Sequence, residues 1–163
     1  YILGTMNTTD RSVGQIDLAL RRRFMFTRML PMSENELIKA LAFTKAQKSD
    51  KIFFKEHIDI WVDVNAILRE SVGPDAQIGH SYFFQVKDMM DSPASSEIVT
   101  SDRLSDFLWR SLLLPQIAEI LVSFNAVEDI DKINGGLRTA VGYELELVGA
   151  GLDAYPMVIP KGK

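Results

Sequence analysis

The residues best suited to chemistry gather near the start of the chain, between Gly4 and Phe24. Asn7 follows the apolar run of residues 1–6. An amide in that place can orient an attacking water and donate to a γ-phosphate without changing its own charge. The triple arginine of residues 21–23 offers guanidinium groups, which can neutralise charge that builds on a phosphate during its transfer. These residue types suit a site that cleaves a phosphate bond.

Each of these residues also has a simpler interpretation. Asn7 stands before Thr-Thr-Asp, and such an asparagine often forms a turn by bonding its own backbone. The arginines of residues 21–23 fit the solvated end of a helix, where cations complement the helix dipole. Because successive helical residues point about 100° apart, at most one or two of these arginines can face one site.

Three short sequences, taken in order, favour the chemical interpretation. They are GTMNT-x-DRS at residues 4–12, ALRRRF at residues 19–24 and IGHSYF at residues 78–83. The first two resemble the sensor-1 to arginine-finger stretch of AAA+ NTPases, and their sequences are most similar to the McrB-type GTPase subunit of methylcytosine-specific restriction systems. In that family an IGHSYF stretch occupies the sensor-2 region of the lid. The resemblance therefore implies the end of an AAA+ core followed by a helical lid.

The same resemblance implies roles for residues of the first two sequences. Asn7, Arg22 and Arg23 would be catalytic, with the two arginines facing the nucleotide of an adjacent subunit. Asp10 and Arg11 would lie near the nucleotide or the interface between subunits, because DRS is part of the family's sequence motif. Asp10 has an equally good alternative as the cap of the following helix.

The IGHSYF sequence differs from many AAA+ sensor-2 regions because it contains no arginine, and the residue directly before it is Gln77. Direct contact between the lid and the γ-phosphate is therefore not expected. The resemblance implies instead that His80 or Ser81 contacts the base, the ribose or the hinge of the nucleotide site. Without the family context, His80 is better interpreted as a structural histidine with a satisfied ring.

Two elements of a complete nucleotide site are absent from the sequence. There is no G-x-x-x-x-G-K-[ST] to cradle a triphosphate and no apolar run ending in Asp-Glu to hold Mg²⁺. We therefore expect this chain not to hydrolyse nucleotide by itself and to hold no cofactor. We expect it to be the C-terminal half of a larger protein, which would bind GTP or ATP with Mg²⁺.

The resemblance also predicts partners for that larger protein. It would form a hexameric ring and work with a nuclease subunit of the McrC type. It would contact DNA through other domains or the pore of the ring, in the cytoplasm and without a membrane. An ATP-driven remodeller of the dynein-related or MoxR-like branch is one alternative, and a helical interaction module without a nucleotide role is another.

Composition limits the other function classes. The chain has 163 residues, of which 47% are apolar, and this is enough for one core. A net charge of −4 argues against a domain that grips nucleic acid with its whole surface. With no cysteine and two isolated histidines, neither a disulfide framework nor a metal site is predicted.

The expected fold is mainly α with minor β. We predict strands over residues 1–6 and 24–30, helices over residues 34–48, 55 or 58 to 71, 102–124 with a kink at Pro115, and 127–140, a short aromatic segment over 78–84, and a terminal hairpin of residues 143–148 and 155–159. The first of these helices starts with a capping box of Ser33 and Glu36, the second stops at Gly73-Pro74, Thr100 or Ser101 caps the third, and Gly135-Gly136 weakens the last. The expected domains are 1–31 for the end of the AAA+ core, with two strands and a short helix, 32–141 for the helical lid and 142–163 for the tail.

One structural consequence follows for the two early strands. In an AAA+ sheet, the strand that leads into the phosphate loop lies between the sensor-1 strand and the strand after the arginine finger. That middle strand is absent from this sequence. We therefore expect residues 1–6 and 24–30 not to pair with each other, unless the strands rearrange or pair between chains.

Overall fold

Helices dominate the residues that the computed structural model describes, which are 2–4, 19, 22–42, 48–92, 100–138, 141–149 and 154–161. In chain order the elements are α1 (Glu34–Ala40), α2 (Lys48–Ser71), a 3-10 turn (Pro74–Ala76), α3 (Ser81–Asp91), α4 (Ser101–Asp106), a π-helical stretch (Phe107–Leu113), α5 (Leu114–Ser123), a second 3-10 turn (Val127–Asp129), α6 (Ile130–Gly136), β1 (Tyr143–Val148) and β2 (Tyr155–Pro160). The fold is mainly α with a two-stranded antiparallel sheet, as predicted.

Helix α1 begins with the capping box that the sequence predicts. The Ser33 hydroxyl accepts the backbone N–H of Glu36, and the Glu36 carboxylate accepts the backbone N–H of Ser33 at 2.8 Å. The Ser33 hydroxyl and backbone together lower the pKa of Glu36. The helix ends at Ala40, well before residue 48, because Ala42 adopts a left-handed φ of 43°. The prediction of one helix over residues 34–48 is therefore wrong.

Helix α2 is the central element of the core. It runs for 24 residues, starting earlier than predicted, and buries Phe54, Ile58, Trp61, Val64 and Leu68 at helical spacing. Burial of such a stripe against neighbouring elements is the main source of stability in a small helical domain. The helix ends at Ser71, and Gly73 follows with a φ of 128°, a conformation that glycine alone adopts without strain. The predicted stop at Gly73-Pro74 is confirmed.

The long helical segment after residue 100 contains an irregular stretch close to Pro115. Thr100 caps the start of this segment by accepting the backbone N–H of Arg103, as predicted. The irregularity takes the form of the π-helical stretch, after which the N–H of Leu114 bonds to the carbonyl of Trp109. One residue separates Pro115 from the π-helical stretch, so the missing N–H of the proline falls at the irregular part of the continuous helix.

Helix α6 is shorter than predicted and packs tightly on α2. It covers Ile130–Gly136 in place of residues 127–140, and Leu137 after it is extended. A Cβ on Gly136 would lie 2.6 Å from Cδ1 of Ile67, so a larger residue there would force the end of the Ile67 side chain to move. The glycine that weakens the helix therefore lets α6 lie against Ile67 without that shift.

The terminal hairpin is confirmed. Its strands pair in antiparallel register, from Tyr143 opposite Pro160 to Val148 opposite Tyr155. Leu145 and Pro156 are buried on the face that packs toward α5 and α6. The hairpin is thus attached to the helical core through one face only.

Two asparagine side chains fix the backbone of a following segment to the helices. Asn65 of α2 donates Nδ2–H to the carbonyl of Ile78 at 3.0 Å, and its Oδ1 accepts the N–H of Ile78 at 2.7 Å. Asn134 of α6 makes the same pair of bonds with Leu145 of β1, at 2.8 and 2.9 Å. Each amide replaces the neighbouring strand that these backbone groups lack, and this satisfies buried polar atoms.

The strand predicted over residues 24–30 is not formed, and residues 2–4 are also not in a strand. A strand is stable only when another strand or sheet satisfies its backbone, and no described residue pairs with either segment. The side chains of Met25 and Met29 are 96% and 91% exposed. The expectation that the two segments do not pair with each other agrees with the described residues. The proposed domain boundaries stay a prediction.

The amide clamp of Asn65 leads to a stability prediction. Asn65→Ala leaves the N–H and carbonyl of Ile78 buried without partners, and we expect a loss of about 2–4 kcal/mol in the free energy of unfolding. Urea titration measures this. Asn134→Ala is the matched control, and we expect a smaller loss because Asn134 is only partly buried. A loss below about 0.5 kcal/mol for Asn65→Ala would contradict the structural role of the clamp.

Buried His57 generates a prediction about pH. Its Nδ1 accepts the indole N–H of Trp109 at 3.0 Å, its ring centroid lies 4.4 Å from that of Phe53, and burial lowers its pKa from 6.5 to about 4. Between these values the unfolded chain binds a proton that the folded chain does not. The stabilising contribution is therefore complete above pH 6.5 and is lost as pH falls toward 4, by up to about 3 kcal/mol.

Unfolding free energies at several pH values between 7 and 4 test this, with His57→Asn as the matched variant. An asparagine oxygen can replace Nδ1 as the acceptor for Trp109 but does not titrate. The loss of stability attributable to His57 should therefore be present in the parent chain and absent in the variant. The same pH profile in both proteins would show that His57 is not the titrating group.

Candidate functional site

Several residues predicted to act on nucleotide lie outside the described part of the chain. They are Asn7, Asp10 and Arg11. Their roles therefore stay predictions from the resemblance.

Arg22 and Arg23 are described, and both are exposed in a turn at the start of the segment that leads to α1. Neither forms an ion pair with another residue in the described ranges. An exposed guanidinium without a carboxylate partner keeps its full set of donors for an external anion. Their placement is compatible with contact to another molecule, while their catalytic role stays a prediction.

His80 and Ser81 lie where the chain enters α3. The sequence predicts only a short aromatic segment here, but Phe83 and Val86 are both buried on one side of an 11-residue helix that starts at Ser81. His80 precedes the helix without a side-chain cap, and the side chain of Ser81 is exposed. The clamp of Asn65 on Ile78 fixes the backbone just before this turn.

The imidazole of His80 faces the segment that carries the arginines. Its Nδ1 accepts the backbone N–H of Met32 at 3.1 Å, and its ring lies edge-on to Phe84 with the centroids 6.2 Å apart. An accepting Nδ1 carries no proton, so the ring proton is on Nε2. The histidine therefore joins the turn before α3 to the segment before α1, and its predicted role toward a nucleotide stays a prediction.

An ion pair forms a second contact between the same two parts of the chain. The guanidinium of Arg28 lies 3.3 Å from Oδ1 of Asp75, which belongs to the 3-10 turn after α2. We call the set of Arg28, Met32, Asp75 and His80 the junction. It joins residues 22–32 to the turn between α2 and α3.

Sequence reasoning missed most of the junction. A signal existed for Asn65, which supports the turn beside the junction, because its amide lies on the mainly apolar buried face of α2 and a buried amide requires partners. The partner itself could not be identified, since Ile78 is bonded through its backbone. Arg28, Asp75 and the N–H of Met32 carry no comparable signal in the sequence.

A second polar surface lies at the start of α2, where Lys51, Ile52, Lys55, Glu56, Asp59 and Arg138 line an open groove. Lys55 lies 2.6 Å from Asp59 and 2.7 Å from Glu34, and these carboxylates raise its pKa, Asp59 more than Glu34. Arg138 is paired with Asp63 at 2.7 Å. Because Lys55 and Arg138 are neutralised and Glu56 and Asp59 add negative charge, this groove is a poor site for a phosphate.

Two kinds of feature are missing from the described residues. No group of three or more His, Asp or Glu side chains is arranged to hold a metal ion among them. In the same ranges no helix is both long enough and apolar enough to cross a lipid bilayer.

Comparison with known proteins gives one informative relative. Over 108 residues the chain is 34% identical to a protein of Escherichia coli (strain K12) described as "Type IV methyl-directed restriction enzyme EcoKMcrB subunit". The chain is similar to an McrB subunit. The aligned region is 63% of this chain and 23% of the McrB subunit, so the chain spans about a quarter of that relative. No protein-family model and no solved structure matches the chain.

The exposed ion pair of the junction gives a testable prediction. Arg28 and Asp75 are 54% and 36% exposed, so solvent screens their attraction, and we expect a coupling energy of about 0.2–1 kcal/mol. A double-mutant cycle with Arg28→Ala and Asp75→Ala, read by urea unfolding, measures it. The coupling should shrink as salt is raised. A coupling above about 2 kcal/mol would show that the pair is not solvent-screened as described.

Proposed function

We propose that this chain is the C-terminal part of a ring-forming AAA+ nucleoside triphosphatase, the GTP-hydrolysing and DNA-translocating subunit of a modification-dependent restriction system. The observation that carries the proposal is the 34% identity with the McrB subunit over 108 residues. The order of the sensor-1, arginine and IGHSYF sequences supports it independently, because each fits one part of a motor domain. In this proposal residues 1–31 are the end of the core, residues 32–141 form the helical lid and residues 142–163 are a tail.

The chemistry assigned to the chain is positioning and charge stabilisation. Asn7 orients the attacking water, while Arg22 and Arg23 reach the nucleotide bound to the neighbouring subunit and neutralise charge on the γ-phosphate. The exposure of both arginines supports this, since a side chain that acts on a neighbouring subunit must protrude from its own.

The residues at the start of α3 fit a nucleotide through their hydrogen-bond donors. The Ser81 hydroxyl is exposed, and Nε2–H of His80 makes no hydrogen bond with another described residue. Such donors match the oxygens of a ribose or a phosphate, and the N-terminus of a helix adds a favourable potential for an anion. In the proposal these two residues, with Asp10 and Arg11, contact GTP or ATP. The phosphate loop and the Mg²⁺ ligands come from residues outside this chain.

The partners follow from the same proposal. The motor assembles as a hexameric ring, and a nuclease subunit of the McrC type stimulates hydrolysis and cuts the DNA. DNA passes through the ring pore or binds to other domains, which agrees with the net negative charge of this chain.

Reconstitution tests the proposal. The chain is mixed with an upstream fragment that carries a phosphate loop and an acidic strand end, and GTP hydrolysis is measured after complex formation is verified by size-exclusion chromatography. We expect activity from the complex and none from the chain alone. Arg22→Ala should lower the rate by about 10³-fold or more, the effect typical of a lost arginine finger, and Asn7→Ala should also lower it strongly.

Arg69→Ala is the matched control, because Arg69 is an exposed arginine in the last turn of α2, outside the predicted site. It should leave the rate unchanged. Absence of hydrolysis in a verified, folded complex would contradict the proposal and favour a helical interaction module. Preference for ATP would favour the remodeller branch of AAA+ proteins.

A further inference from the structure

The arginine-bearing segment has few attachments to the rest of the fold. Residues 24–30 belong to no helix or strand, and the side chains of Met25 and Met29 are almost fully exposed. The position of Arg22 and Arg23 therefore depends on contacts made further along the segment. Within the described residues these are the ion pair of Arg28, the packing of the Met32 side chain on the core, and the backbone bond from Met32 to His80.

The Met32 bond is the more directional of the two polar contacts. An exposed ion pair tolerates a range of geometries, whereas an N–H donating to a ring nitrogen requires both distance and alignment. The 3.1 Å separation of Met32 N and His80 Nδ1 satisfies that requirement, and the contact is partly buried. This bond therefore restricts the segment more than the ion pair does.

The acceptor is itself held in place by the helical unit. Asn65 fixes the backbone of Ile78 two residues before the histidine, and the edge of the His80 ring lies against Phe84 in the first turn of α3. Any movement of the turn between α2 and α3 must therefore move Nδ1. Because Met32 is bonded to that atom, the movement is passed to the end of the arginine-bearing segment.

We propose that His80 is a positioning residue, which holds residues 22–32 against the helical unit by accepting the Met32 N–H at Nδ1. The importance of this contact for hydrolysis rests on the proposed function, but the contact itself does not. It gives His80 a role distinct from contact with a nucleotide, and Nε2 remains available for that. A displacement of the lid would then change the direction in which Arg22 and Arg23 protrude.

Amide hydrogen exchange of the Met32 N–H in the full chain tests the contact directly. His80→Ala removes the acceptor, and exchange at Met32 should become about tenfold faster, the effect expected for loss of one hydrogen bond. His80→Asn places an amide oxygen at the position of Nδ1 and should retain slow exchange. His80→Gln reaches one bond further and should behave like the alanine variant.

The N–H of Ile78 is the internal control, because the clamp of Asn65 protects it independently of the His80 ring. If His80→Ala also exposes this amide, the helical unit has been disturbed, and the comparison of His80→Asn with His80→Gln decides the question. Equal exchange at Met32 in the parent chain and all three variants would overturn the proposal. So would equal exchange in the asparagine and glutamine variants.

The reconstituted complex separates this inference from the proposed function. If both hold, His80→Ala lowers nucleotide affinity and also the hydrolysis rate at saturating nucleotide, and His80→Asn restores the rate alone, because its amide reaches the position of Nδ1 but not that of Nε2. If exchange at Met32 responds as expected but no variant supports hydrolysis, the proposed function fails and the contact stands. If hydrolysis occurs and His80→Ala lowers affinity alone, His80 acts as a nucleotide ligand and the positioning role is overturned.

Discussion

The structure depends most on the amide of Asn65, which binds both backbone groups of Ile78. Helix α2 supplies the buried face on which the other helices pack. Without the Asn65 amide, this face would offer no hydrogen-bond partner to the turn that contains Ile78. A buried turn is expensive unless its polar groups are satisfied, and one asparagine satisfies two of them at once. The amide therefore fixes where α3 begins and where His80 points.

The same solution appears at the other end of the fold. Asn134 binds the backbone of Leu145 and thereby attaches the hairpin to α6. In both cases a helix presents an amide to backbone groups that have no strand on that side. Packing explains how close the helices come, as Gly136 against Ile67 shows, but these amides determine which residues of the connecting segments face the core.

The features that could be predicted from sequence are local ones. The capping box at Ser33, the stop at Gly73, the cap at Thr100 and the hairpin each depend on a few neighbouring residues with one preferred geometry. Helix bounds were less predictable, because Ala42 adopts a left-handed conformation that its residue type does not suggest.

The remaining features depend on contacts across long stretches of chain. The strand predicted at residues 24–30 is wrong because its apolar pattern reports a tendency to be buried in a sheet, and the described residues include no strand that pairs with it. The junction joins residues 48 positions apart through a backbone N–H, which no side-chain pattern reveals. The resemblance predicted which residues contact or act on a nucleotide, whereas the structure indicates how the segment before α1 contacts the turn between α2 and α3.

The central claim is that the clamped turn presents an unprotonated Nδ1 of His80 to the N–H of Met32. Nuclear magnetic resonance of the ¹⁵N-labelled chain near neutral pH measures this most directly, through the scalar coupling between the two nitrogens across the hydrogen bond. We predict a detectable coupling and ring shifts of the Nε2–H tautomer. A ring with its proton on Nδ1, or the absence of coupling in a folded chain with Ile78 still protected, would contradict the account.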